Sequence, residues 1–83
     1  MKVTVKYFAS IREAFACSSE VVDTDAVTLA QLRDQLAARG GVAGESLSRG
    51  RLVRMALNQV MCDESTALRD GCEVAFFPPV TGG

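Results

Sequence analysis

The residues of greatest chemical interest are the last six of the sequence, Pro78-Pro79-Val80-Thr81-Gly82-Gly83. Neither Gly82 nor Gly83 has a β-carbon, so both can enter a channel too narrow for other residues. The two prolines fix φ and stiffen the exit from a predicted final strand. Fully extended, the segment spans about 20 Å, which is far enough to reach another protein's active site. The pattern predicts a carboxylate presented to a partner, and the alternative is an ordinary frayed terminus.

The side chains of the rest of the sequence offer little for catalysis. There is no histidine, which removes the commonest general base. Cys17, Cys62 and Cys72 form no Cys-X-X-Cys pair, and their odd number argues against a disulfide framework. Cys72 lies at a turn entering a strand, where a cysteine is more often a packing residue than a reactive thiol. We therefore expect no catalytic residue and no metal ligand in this chain.

Composition predicts one small globular domain and excludes several kinds of partner. The sequence has 83 residues, with nine basic and ten acidic side chains, a net charge of −1 and no basic run. Nucleic acid and anionic membranes are therefore poor candidates for partners. No apolar stretch approaches the length of a membrane span, and the first residues lack the apolar region of a signal peptide. We expect a cytoplasmic protein.

Hydrophobic periodicity predicts five strands. They lie at residues 2–8, 19–23, 52–57, 60–62 and 73–77, the fourth being a short edge strand. Asn58-Gln59 is predicted to form the turn between the third and fourth strands. Val3, Val5 and Tyr7 share one face of the first strand.

Two capping-box patterns predict helices between these strands. Ser10-Ile11-Arg12-Glu13 predicts a short helix that ends near Ala16, and Thr28-Leu29-Ala30-Gln31 predicts a longer one that ends at Gly40-Gly41. Leu29, Leu32 and Leu36 share one face of the longer helix. Residues 42–50 are predicted to form a polar loop.

The main elements follow the order β-β-α-β-β, which predicts a two-layer α+β fold with a mixed sheet and one helix packed across it. The pattern favours a β-grasp arrangement in which the first and last strands are central and parallel. Residues 1–77 are predicted to form the domain and residues 78–83 an extended tail.

Strand parity places two phenylalanines on an otherwise polar face of the sheet. If Val5 and Tyr7 face the helix, Phe8 falls on the opposite face, and if Phe76 faces the helix, so does Phe77. Neighbouring first and last strands would then form an apolar patch at the root of the tail, of the kind that often marks a partner surface. The alternative is that the strand ends twist and one of the two rings turns inward.

These residues resemble a known family. Tyr7-Phe8-Ala9-Ser10-Ile11-Arg12-Glu13 is similar to the first-strand signature of the small subunit of molybdopterin synthase, and residues 70–83 resemble its C-terminal signature. Asn58-Gln59 falls where that family usually has such a pair. The resemblance spans nearly the whole chain. One departure is Cys72, because the family usually has an aspartate after the glycine.

The resemblance implies a ubiquitin-like β-grasp fold and a role as a sulfur carrier. An activating enzyme similar to ubiquitin E1 would consume ATP to adenylate the carboxylate of Gly83, and sulfur from a persulfide would displace AMP to leave a thiocarboxylate. The large synthase subunit, in a heterotetramer with this chain, would supply the catalytic residues and transfer the sulfur to cyclic pyranopterin monophosphate. No cofactor would be bound to the carrier itself.

The resemblance also assigns roles to individual residues. Gly83 would be the modified residue, and Phe8, Met61 and Phe77 would contact the large subunit. The remaining tail residues would line the path into the partner's active site: Pro78, Pro79, Val80, Thr81 and Gly82. Three alternatives stay open, namely a carrier for thiazole or another sulfur pathway, a protein modifier joined to lysines through Gly83, and an interaction module whose tail has no chemistry.

Overall fold

Residues 1–79, which the computed structural model describes, form five strands and three helices. In chain order they are β1 (Lys2–Tyr7), α1 (Ala9–Phe15), β2 (Ser19–Asp23), α2 (Leu29–Ala37), α3 (Gly41–Ser46), β3 (Arg54–Leu57), β4 (Val60–Cys62) and β5 (Glu73–Phe77). The predicted residues Val80, Thr81, Gly82 and Gly83 lie outside the described part of the chain.

The strands form one mixed sheet in the order β2-β1-β5-β3-β4. β5 is the central strand, and it pairs in parallel with β1 and antiparallel with β3. β2 and β4 are the two edges, each antiparallel to its neighbour. The predicted parallel pairing of the first and last strands is therefore confirmed, and it brings the end of β1 beside the end of β5.

The core lies between this sheet and α2, as the two-layer prediction requires. Leu29, Leu32 and Leu36 of α2 are fully buried against the apolar face of the sheet, which includes Val5 and Phe76. Along β1, residues are alternately buried and more exposed, because successive side chains of a strand point to opposite faces. Within residues 1–79, none of the helices has the length and hydropathy that crossing a bilayer needs.

Helix α2 begins as the sequence predicts. Thr28 is the N-cap, and its hydroxyl accepts a hydrogen bond of 3.3 Å from the backbone N–H of Gln31. The Gln31 side chain reaches back to the N–H of Val27, at 2.7 Å. The first bond satisfies a donor that the first turn of a helix leaves without a partner, and the second joins that turn to the residue before the N-cap.

Two predictions about helices are wrong. The short helix α1 begins at Ala9 with Phe8 as its N-cap, so Ser10 lies inside the first turn and neither it nor Glu13 forms a capping box. Residues 41–46 form the helix α3 instead of part of a polar loop, and α2 ends at Ala37, before Gly40-Gly41. Both Gly40 and Gly41 have positive φ, which lets the chain reverse between α2 and α3.

Buried Arg33 fixes the segment that follows α3. Its guanidinium donates to the backbone oxygens of Leu47, Ser48 and Arg51 at 2.6–2.8 Å. Three carbonyl oxygens that would otherwise need water are thereby satisfied inside the protein. This contact joins α2 to the segment that leads into β3.

Candidate functional site

The tail begins at the centre of the sheet. β5 ends at Phe77, and Pro78 and Pro79 continue from it as partly buried residues without regular structure. Since β5 is flanked by β1 and β3, the chain leaves the domain between two paired strands. Pro78 and Pro79, the described start of the tail, therefore lie at this end of the sheet.

Phe8 and Phe77 meet beside this exit. Their ring centroids are 6.1 Å apart and their planes make an angle of 87°, an edge-to-face pair. Phe8 is 45% exposed and Phe77 is partly exposed, whereas Phe76 is fully buried on the other face. The patch predicted from strand parity is confirmed, and the alternative in which one ring turns inward is wrong.

The backbone around Phe8 explains the position of its ring. The N–H of Phe8 donates to the oxygen of Phe76 at 3.2 Å, which extends the pairing of β1 with β5 by one residue. The oxygen of Phe8 accepts from the N–H groups of Ile11 and Arg12 in the first turn of α1. Ala9 has φ of 50°, in the left-handed region, so the chain turns sharply directly after Phe8. The Phe8 side chain is thus fixed on the face of the sheet opposite the helices.

The two rings form one wall of a shallow apolar depression of about 440 Å³. Its other lining residues are Ala9, Pro78 and Pro79, so its surface is almost free of polar groups. An exposed apolar depression of this kind is a typical site for a protein partner. Its position at the root of the tail means that a partner can bind both features together.

Met61 lies on the same face of the sheet, on the edge strand β4, and is 53% exposed. It pairs with Ala56 of β3, which in turn pairs with Ala75 of β5. Directly paired residues share a face, so Met61, Ala56 and Ala75 form one row on this face, in which the two alanines are largely buried. Ala56 was not predicted to belong to this face, although the parity argument that identified Phe8 and Phe77 applies to it equally. We call Phe8, Ala56, Met61, Ala75 and Phe77 together the apolar surface.

The cysteines take no part in this surface. Cys72 is buried in the core, as predicted for a packing residue, and Cys17 and Cys62 are partly buried. All three are free thiols. In the described part of the chain, no group of His, Cys, Asp or Glu residues is placed to hold a metal ion.

The clearest shifts of pKa lie on the other face of the sheet. Burial, followed by a hydrogen bond of 2.8 Å to Glu20, raises the pKa of Tyr7 far above its usual value. The Arg39 guanidinium binds both Glu20 oxygens at 2.9 Å, and these bonds lower the pKa of that carboxyl. The ring of Phe15 stacks on Tyr7 at 4.0 Å. This cluster joins β1, β2 and the segment after α2, on the face of the sheet opposite Phe8 and Phe77.

Comparison with known proteins agrees with this geometry. A family model described as the ThiS family matches residues 5–83. The chain belongs to the ThiS family.

Relatives of this ThiS-family chain carry a more specific name. It is 40% identical over 81 residues to the molybdopterin synthase sulfur carrier subunit of Escherichia coli K12, a match that covers 98% of this chain and 99% of the relative. It is 31% identical, with a TM-score of 0.68, to a chain in the complex of subunits 1 and 2 of molybdopterin-converting factor from Helicobacter pylori 26695. That match covers 100% of both chains. The resemblance to the molybdopterin synthase small subunit is thereby confirmed.

The fold prediction is confirmed in the same way. SAMP1 from Haloferax volcanii superposes with a TM-score of 0.77 at 25% identity, again over 100% of both chains. The mixed five-stranded sheet with its covering helices is therefore the ubiquitin-like β-grasp fold of this family.

Proposed function

We propose that this ThiS-family chain is the sulfur carrier subunit of a cytoplasmic molybdopterin synthase. The Phe8–Phe77 pair carries the proposal, because it places an apolar partner surface at the root of a tail that ends in Gly82-Gly83. Family membership and the molybdopterin synthase relatives support the same function. The chain presents its last residue to other proteins, and those proteins perform the chemistry.

The first step is activation of the Gly83 carboxylate. An E1-like enzyme joins it to AMP from ATP and releases pyrophosphate, which converts an unreactive carboxylate into a mixed anhydride. The outer sulfur of a cysteine persulfide then attacks the acyl carbon and AMP leaves, which gives an acyl disulfide. A second thiol attacks the other sulfur of this disulfide, so the two donor thiols are left as a disulfide and the chain is released as a thiocarboxylate. Its anionic, polarisable sulfur is the reactive atom in the next step.

The second step takes place in the large subunit, which forms a heterotetramer with this chain. That subunit receives the tail, with Pro78, Pro79, Val80, Thr81 and Gly82 along its path, and binds the apolar surface through contacts that include Phe8, Met61 and Phe77. The sulfur passes to cyclic pyranopterin monophosphate, and a second delivery completes the dithiolene. The large subunit supplies the acid and base groups, since this chain contains no histidine.

The proposal is tested by the intact mass of the chain after co-production with its E1-like activator and a sulfur donor. We expect a mass gain that corresponds to one oxygen replaced by sulfur, and we expect the gain to disappear when Gly83 is deleted. The deletion variant should still unfold cooperatively, because the fold of residues 1–79 rests on its own buried core. An unmodified mass with an activator that is competent on another carrier would contradict the proposal.

A protein modifier is the second candidate, and one specific likeness favours it. The Haloferax volcanii structure that superposes well on this chain is of a small archaeal modifier protein. A modifier would use the same activated carboxylate but would form an isopeptide bond with target lysines. Isopeptide adducts that contain this chain in cells, without a thiocarboxylate form, would favour the modifier over the sulfur carrier.

A further inference from the structure

Arg54 lies at the margin of the apolar surface, at a position for which the sequence pattern predicts no role. It is the first residue of β3 and pairs directly with Phe77 of β5. The next pair along, Met55 with Phe76, is buried in the core, so Arg54 and Phe77 share the opposite, open face. Arg54 is exposed, and it lines a recess of about 310 Å³ together with Met61. Arg54 therefore lies beside Phe77 and shares a recess with Met61, two of the residues expected to contact the large subunit.

Arg54 differs from the other arginines of the neighbouring segments in having no partner. Within residues 1–79, Arg33, Arg49 and Arg51 each bind a carboxylate. The Arg54 side chain forms neither a hydrogen bond nor an ion pair in that part of the chain. The cation Lys6, also on the open face, pairs with Glu73 at 3.3 Å. Among residues 1–79, Arg54 is thus a cation beside Phe77 whose side chain has no partner.

The two acidic residues that share the recess of Arg54 are engaged elsewhere. Asp63 accepts hydrogen bonds from the backbone N–H and the hydroxyl of Ser65, and these bonds lower the pKa of Asp63. Glu64 binds Arg49 at 2.9 Å and approaches Arg33 at 3.6 Å. The local acidic groups therefore leave the Arg54 guanidinium open to a carboxylate from outside the chain.

A cation at this position can fix the orientation of a bound partner, which the apolar surface alone cannot do. Apolar contact is non-directional, so the rings alone leave a partner free to rotate about them. An arginine binds a carboxylate in a planar, bidentate geometry, which fixes orientation as well as position. Orientation matters here, because the tail must point into a channel while the surface is bound.

We propose that the partner places an aspartate or glutamate carboxylate beside its contact with Phe77, and that Arg54 pairs with this carboxylate in the complex. The inference rests on the proposed function, since the partner is the large subunit of molybdopterin synthase. Arg54 is a specificity determinant of the interface and has no part in the chemistry at Gly83.

The test is titration calorimetry of the chain with the large subunit from the same source, at about 0.05 M and about 0.5 M NaCl. Arg54→Met keeps much of the length of the side chain and removes its charge. We expect Arg54→Met to raise Kd about tenfold at low salt, with a larger rise for Arg54→Glu. The difference between the wild type and Arg54→Met should shrink at high salt, because salt screens the charge pair.

Arg69→Met is the matched control. Arg69 is also exposed and without a side-chain partner among residues 1–79, but it lies before β5, at the end of the sheet away from Phe77. Its replacement should leave Kd unchanged. Equal Kd values for Arg54→Met and Arg69→Met would overturn the inference.

Two further outcomes distinguish a contact within this chain from a contact with the partner. If Asp63→Asn raised Kd as much as Arg54→Met, Arg54 would act by orienting Asp63 within this chain, and the inference would be wrong. If the wild-type chain failed to bind the large subunit while remaining folded, the proposed function would fail, and the inference with it. If the wild type bound the large subunit and Arg54→Met had the same Kd, the inference about Arg54 would be wrong and the proposed function would stand.

Discussion

At the scale of single residues, the strongest polar contacts of this chain hold its parts together. Arg33 joins α2 to the segment before β3, and Arg39, just after α2, binds Glu20 of β2. Glu20 is the residue whose charge matters most for this second contact, because it accepts from both Arg39 and Tyr7. The ionisation of one carboxylate should therefore contribute measurably to stability.

We predict that Glu20 gives the protein a pH-dependent stability that Glu20→Gln removes. Its pKa is lowered in the folded chain, mainly by Arg39, so folding favours the ionised form. This stabilisation is complete above the pKa of the unfolded chain and is lost as the pH falls through the folded pKa. Glu20→Gln should cost about 1 kcal/mol near pH 7 and less near pH 3. Denaturant unfolding at both pH values measures the difference.

Glu45→Gln is the control for this prediction. Glu45 pairs with Arg51 at 2.9 Å, but both side chains are more than half exposed, where solvent screens the attraction. Its replacement should change the free energy of unfolding by only a few tenths of a kcal/mol. Equal effects of the two substitutions at both pH values would mean that the Tyr7–Glu20–Arg39 contact contributes no more to the free energy of unfolding than an exposed ion pair does.

At the scale of elements, the sequence predicted the sheet better than the helices. The bounds of β2 and β5 match the prediction residue for residue, and Asn58-Gln59 forms the predicted turn with positive φ at both positions. Strand alternation is a local pattern that burial on one face enforces. The same alternation places Phe8 and Phe77 on the face opposite the core, which is why the apolar patch at the root of the tail was predictable.

Helix α3 was not predicted because apolar residues do not recur in its sequence at the spacing of a helix. Gly41-Val42-Ala43-Gly44-Glu45-Ser46 contains two glycines and a serine, which favour a loop when read locally. Tertiary packing overrides that preference, since buried Gly44 lies directly against the backbone of Ala37 in α2. The role inferred for Arg54 was equally hidden, because it depends on which strand lies beside β3 and on which acids are already paired.

We predict that Gly44→Ala destabilises the protein even though alanine is the better helix former. A β-carbon at this position would lie well inside van der Waals contact of the Ala37 carbonyl oxygen, a backbone atom that cannot move without shifting α2. We expect a loss of about 1–3 kcal/mol in the free energy of unfolding, as for other overpacked sites. Thermal or denaturant unfolding measures it.

Gly50→Ala separates this steric effect from a general effect of replacing glycine. No atom lies within 4 Å of a β-carbon built at Gly50. Its replacement should be neutral or slightly stabilising, because alanine restricts the unfolded chain more than glycine does. A Gly44→Ala variant as stable as Gly50→Ala would show that α2 and α3 do not pack closely at Ala37.

At the scale of the whole molecule, one face of the sheet forms the core and the other is open to a partner. The helices cover one face and form the core with it, so substitutions there change stability. The other face carries the apolar surface and the root of the tail, and few of its side chains are needed for folding. Adjacent residues of β5 therefore have separate tasks, with Phe76 in the core and Phe77 on the surface.

We predict that Phe77→Arg abolishes tight binding to the large subunit while the domain stays folded. In a complex, the new guanidinium would be buried against an apolar partner without a counter-charge, and it would lie beside Arg54. We expect Kd to rise about 30-fold or more, the range of an interface hot spot. Val21→Arg is the matched control, since Val21 is 66% exposed on the same face but on the far edge strand β2. Calorimetry that gave both variants the wild-type Kd would exclude Phe77 from the interface, whereas equal weakening by both would place the partner across the whole open face.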